Sequence, residues 1–141
     1  MKEKYVQRAT QLSGQGYNCA QAVACAFTDI LDIDEQTLFK LSEGFGSGMG
    51  GLDGTCGALS GAILVISLLN SGGDSSQPTK EKTYGIVKEV FDRFVKEIGS
   101  SVCKDIKGLE TGVVLHPCAD CIQDAVRYTY EHLQVPLKEV L

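Results

Sequence analysis

The sequence predicts an all-α fold, a single compact domain of five or six helices over residues 1–141 with a glycine-rich loop in its middle. Three observations predict it. Apolar residues recur three and four positions apart along most of the chain, the spacing of a helix face. Helix-starting residues stand directly ahead of several of these runs. Only Val113-Val114-Leu115 reads as a strand fragment, and a lone strand has nothing to pair with.

The first helix spans Lys2 to Gln15, with Tyr5, Val6, Ala9 and Leu12 on one face and Gly14 and Gly16 ending it. Asn18 caps a second run carrying Cys19, Val23, Ala26, Phe27, Ile30 and Leu31. Asp34 caps a shorter helix through Leu38 and Leu41. Then comes Gly44 to Gly57, in which half of the 14 positions are glycine, so no regular helix or strand is expected there. Cys56 to Leu69 is apolar nearly all round and longer than a usual strand, which predicts a buried helix. Ser71 to Pro78 is a surface loop. A long helix follows over Thr79 to Ile98, with Tyr84, Val87, Phe91, Phe94 and Ile98 inward. Glu89 with Arg93 and Asp92 with Lys96 are its expected i,i+4 pairs. A short turn near Cys103, opened by Ser101, leads to the stretch Gly108 to Pro117 and a last helix, Cys118 to Leu133. Its inward residues are Ile122, Ala125, Val126, Thr129 and Leu133.

Composition sets outer bounds. Of 141 residues, 43% are hydrophobic and 22% charged, ordinary for one folded core and far from disorder. The longest apolar stretch, Ala62 to Leu69, is well short of the ~20 residues that span a bilayer, so no membrane partner is expected. Met1 to Tyr5 runs into mixed polar sequence without the apolar segment of a signal peptide, and a cytoplasmic chain is expected. Net charge is −5 with bases and acids interleaved, as in Lys80-Glu81-Lys82, which argues against nucleic acid as a partner.

Six cysteines are the unusual entry. In a reducing compartment they read as ligands, redox groups or core filler rather than structural disulfides. Asn18-Cys19, Thr55-Cys56 and Pro117-Cys118 each place a cysteine at a helix start, and Cys103 follows Ser101 closely. Unpaired N–H groups and the helix dipole there favour thiolate, the form that attacks and ligates. Cys25, between Ala24 and Ala26 in mid-helix, reads as core filler. Gly57 and Gly61, each about 1 kcal/mol less favourable in a helix than alanine, imply either close helix packing or a close ligand.

Several motifs fail. Gly46-x-Gly48-x-x-Gly51 lacks the strand a dinucleotide fingerprint needs. No lysine lies in residues 44–57 to make a P-loop. Pro117-Cys118-x-x-Cys121 matches half of a zinc deaminase signature, but neither His116 nor His132 has glutamate two places on. Cys118-x-x-Cys121 lacks the βαβ context of a thioredoxin-like pair, and Ile122 stands where haem attachment needs histidine. Cys103, His116, Cys118 and Cys121 remain as a Cys₃His set of zinc-ligand types.

The order of these features resembles the C_GCAxxG_C_C family of redox-active proteins. The resemblance runs from Tyr17-Asn18-Cys19-Ala20-Gln21-Ala22-Val23 through Thr55-Cys56-Gly57-Ala58-Leu59-Ser60-Gly61-Ala62 and Cys103 to the cysteine opening the last helix. It implies that Cys19, Cys56, Cys103 and Cys118 form the functional set, with Cys25 and Cys121 as extras; Cys121 is an alternative to Cys118 for the fourth place. The family is similar to the part of split-Soret-type cytochromes that holds an iron–sulfur cluster. The leading expectation is thus a redox-active or electron-transfer protein, of the oxidoreductase kind, holding an iron–sulfur cluster on Cys19, Cys56, Cys103 and Cys118 and serving a redox partner. Three alternatives stand beside it. One is metal-free thiol–disulfide exchange with Cys56 attacking. The second is a structural zinc on Cys103, His116, Cys118 and Cys121. The third is a helical assembly domain with buried cysteines. A homodimer would use the tip of the glycine loop or the apolar face of residues 79–98.

Overall fold

The computed structural model describes residues 1–133. Seven helices carry the fold: α1 (Lys2–Gly14), α2 (Cys19–Cys25), α3 (Glu35–Ser42), α4 (Gly57–Asn70), α5 (Lys80–Ile98), α6 (Cys103–Lys107) and α7 (Cys118–Glu131). No strand occurs among the described residues; Thr55 and Val102 form one isolated antiparallel bridge. Val113 to Leu115 is an irregular, exposed stretch instead. None of the described helices is long and apolar enough to cross a membrane.

Short α2 is the centre of the molecule. Ala20 to Cys25 are all buried, and α1, α3, α4 and α7 pack around them. The small residues Ala20, Ala22 and Ala24 let these neighbours approach. Closest is α4: a Cβ placed on Gly61 would stand 2.6 Å from the Ala20 carbonyl oxygen and 3.1 Å from Val23 Cβ. Of the two explanations open for this glycine, close helix packing is the observed one. On the far side, Tyr5 of α1 stacks on Phe27 with ring centroids 4.8 Å apart. From α7, Ile122, Ala125, Val126 and Thr129 complete the same core.

Three expectations shift. The run after Asn18 stops at Cys25 and does not continue to Leu31, because Thr28 Oγ1 (3.1 Å) and Arg8 Nε (3.4 Å) both donate to the Cys25 carbonyl. A separate 3₁₀ turn, Thr28–Ile30, follows. On α5 the buried residues are Thr83, Val90, Phe94 and Ile98, while Tyr84 is 64% exposed. Its ion pairs differ too: Asp92 pairs with Lys88 (2.9 Å) and Arg93 with Glu97 and Glu131. Leu41, expected inward on α3, is 52% exposed, and Ser42 takes the buried place, donating to the Leu38 carbonyl at 2.7 Å.

Gly61→Ala tests the α2–α4 contact. Helix propensity favours alanine by about 1 kcal/mol, but overpacking against an unyielding backbone costs about 1–3 kcal/mol. A net loss of up to about 2 kcal/mol in denaturant unfolding is expected; a gain would mean the two helices separate easily.

Candidate functional site

The cysteines are placed by local cap chemistry. Cys19 is the first residue of α2, behind Asn18, whose side chain accepts from Gln21 N at 2.9 Å while Gln21 Oε1 accepts from Asn18 N at 2.9 Å. Cys103 and Cys118 are the first residues of α6 and α7, and Cys56 is the capping residue of α4. Ser100, one before the expected Ser101, supports the start of α6: its hydroxyl accepts from Val102 N at 3.0 Å. All four thus sit at helix starts, where the first-turn N–H groups have no partner within the helix and turn to other acceptors.

Backbone lacing then brings two of them together. Cys56 N donates to the Ser101 carbonyl (2.7 Å), Cys103 N to Gly54 (2.9 Å) and Lys104 N to Leu52 (2.9 Å). The end of the glycine loop therefore lies beside the start of α6. Two glycines make room for sulfur. A Cβ on Gly57 would fall 2.3 Å from Cys19 Sγ, and one on Gly48 would fall 2.4 Å from Cys103 Cβ. Around and after Gly48 the chain turns through left-handed residues: Ser47, Gly48, Met49 and Gly50 all have positive φ, as does Leu52.

The result is a cavity of about 220 Å³ lined by Cys19, Cys56, Cys103, Cys118 and Cys121, with Ser47 and Lys107 among its polar neighbours. Cys56, Cys103 and Cys121 are buried, Cys19 is half-buried and Cys118 is exposed. Cys25 lies elsewhere, in the core near the Glu35 carbonyl. Burial pushes its thiol up to about 11. His116 is not a lining residue of the cavity; its Nε2 stands 2.7 Å from Asp124 Oδ2. Among the described residues, no group of three or more His, Cys, Asp or Glu side chains is arranged to hold a metal ion.

The thiols differ electrostatically. The Cys121 thiol beside it, the N–H groups of Ala58 and Leu59 and the charge of Lys107 all favour the Cys56 thiolate, while the Cys121 sulfur itself donates to the His116 carbonyl at 3.9 Å. Together the influences on Cys56 outweigh burial and hold it down to about 7. Cys121 is pushed up correspondingly, by the neighbouring Cys56 thiolate and by burial. Burial also raises Cys19, against the opposing N–H groups of Ser47 and Ala20. It raises Cys103 as well, against Lys107. Lys107 went unnoticed in the sequence, although it stands four residues after Cys103, on the same helical face.

The sequence model of a family described as "Putative redox-active protein (C_GCAxxG_C_C)" matches residues 17–132. The chain belongs to that family. No curated protein and no solved structure gives a significant match. The family supports a redox role, and the matched span contains every residue that encloses the cavity except Ser13.

Alkylation of the reduced, metal-free protein should show one cysteine, Cys56, reaching half-maximal rate near pH 7, since Cys56 is held down to about 7. Removing the neighbouring thiol in Cys121→Ala should move that midpoint upward, toward the ordinary thiol value of about 8.5. An unchanged midpoint would show that Cys121 does not hold the Cys56 thiolate.

Proposed function

We propose that this family member is a redox protein whose five-thiol cavity holds an iron–sulfur cluster, with Cys19, Cys56, Cys103 and Cys118 as ligands. The observation that carries the reading is the gathering of these sulfurs around a single cavity of about 220 Å³. One zinc ion bound at about 2.3 Å would draw its sulfurs to within about 4 Å of each other. A void of this volume is more than ten times the ~15 Å³ that one water needs, so it suits a polynuclear group better than a single ion. The donor chemistry fits as well, because thiolates are the standard ligands of such clusters.

When bound, a cluster supplies one-electron transfer at a potential set by its surroundings. The chain's own groups define those surroundings. Ala58 and Leu59 N–H groups are aimed at the Cys56 sulfur and Ser47 N–H at Cys19. Hydrogen bonds to ligand sulfur and a nearby cation such as Lys107 both stabilise the more negative, reduced state. Cys118 is the exposed member of the set, which makes its side of the cavity the point of electron entry. Cys121 is the fifth thiol lining the cavity.

Protein purified without oxygen should carry iron and acid-labile sulfide and absorb broadly above about 400 nm. Cys56→Ser should lose the iron and Cys25→Ser should keep it. Colourless, metal-free wild-type protein, or full iron in Cys56→Ser, would overturn the assignment.

A further inference from the structure

We propose that Cys121 is the resolving thiol of Cys56, the two closing a reversible disulfide that takes Cys56 out of the cluster-binding set. The last clause rests on the cluster reading; the disulfide itself does not. With Cys118 in the fourth place of the family pattern Cys121 is left over, yet it lines the same cavity as Cys56. At 2% exposure it is the more buried of the pair, Cys56 being 7% exposed. That is the order expected when one sulfur meets the oxidant and the other follows it. Cys19 is seated against Gly57 and Cys103 against Gly48, while Cys118 faces solvent one turn ahead of Cys121. The helices that carry the pair, α4 and α7, pack directly on one another, so their relative position is fixed by the core.

The oxidant is a small disulfide, R–S–S–R, able to enter the cavity. The Cys56 thiolate attacks one of its sulfurs, forming Cys56–S–S–R and releasing RS⁻. The proton of the Cys121 thiol passes to that departing thiolate. Cys121 sulfur then attacks Cys56 Sγ, the bond to S–R breaks, and a second RS⁻ leaves to take up the proton that Cys56 gave to solvent. Two protein thiols are oxidised and one disulfide is reduced to two thiols. With Cys56 tied to Cys121, the cavity keeps three of the four proposed ligands, so disulfide and cluster exclude each other.

The test uses the reduced, metal-free chain treated with 2-hydroxyethyl disulfide, followed by peptide mapping under non-reducing conditions. A Cys56–Cys121 bond with no retained 2-hydroxyethylthio group on Cys56 is expected. Cys121→Ala should instead stall with that group on Cys56. A wild-type map showing Cys19–Cys56 or Cys118–Cys121, or a stable adduct on Cys56, would overturn the pairing. In a second arm, reduced and oxidised wild-type protein are offered ferrous iron and sulfide without oxygen. The oxidised form should stay colourless until dithiothreitol is added, and equal loading of both forms would overturn the exclusion. Failure of both forms to load would sink the cluster reading, and exclusion with it, while leaving the mapped disulfide standing.

Discussion

The close approach of α4 to α2 is the constraint on which the rest of the molecule depends. Two glycines one helical turn apart enforce it from both ends. Gly61 admits the Ala20 carbonyl and Gly57 admits the Cys19 sulfur. At one end of the contact this is ordinary core packing; at the other, the same closeness puts a thiol against the start of a second helix. Core and site are therefore successive turns of one interface. A change that opens the helix pair by even an ångström would loosen the cavity along with the core, because interiors packed this tightly do not absorb displacement locally.

The site has to reconcile burial with charge. Taking a thiol out of water disfavours its thiolate, and that is the larger influence at Cys19, Cys103 and Cys25. Only at Cys56 do the opposing interactions win, through a neighbouring thiol, two helix N–H groups and a lysine. Those donors need no reorganisation, since the first turn of α4 already presents them. The chain thus holds Cys56 near its ionisation point at neutral pH, beside Cys19 and Cys103, whose burial favours the protonated form. A metal group binding there would displace those protons, and its affinity would rise with pH accordingly.

How much of this could be read from the sequence depended on the range of the forces involved. Caps act within four residues, so Asn18 and Asp34 announced their helices correctly, and the placing of cysteines at helix starts could be seen from their neighbours. The glycine run was legible as irregular backbone for the same reason. What failed was decided by partners distant in the chain. The end of α2 is set partly by Arg8 of α1, seventeen residues from the carbonyl it captures. On α5, Val87, Phe91, Phe94 and Ile98 face the core as expected, but Tyr84 and Thr83 both fit a helical period, and only the position of the core selects Thr83. Cys121 reads in sequence as an extra, a zinc-ligand candidate or a substitute for Cys118, because the cavity that sets it beside Cys56 joins positions sixty-five residues apart. The left-handed Ser47, Met49 and Leu52 carried no signal either, since nothing in their residue type asks for that backbone.

Those three residues show where stability has been given up for the site. Non-glycine residues in the left-handed region each cost on the order of 1–3 kcal/mol when the surroundings impose it. What the imposed backbone does there is visible at each of the three. Met49 packs where a side chain on Gly54 would otherwise be, its Cγ 2.3 Å from that position. Leu52 gives its carbonyl to Lys104 N, which fixes the first turn of α6 and with it Cys103. Ser47 turns its own N–H toward Cys19. Strain, lacing and thiol placement are then one device: the loop is held in a conformation it would not choose, by the two helix starts whose cysteines it holds in place.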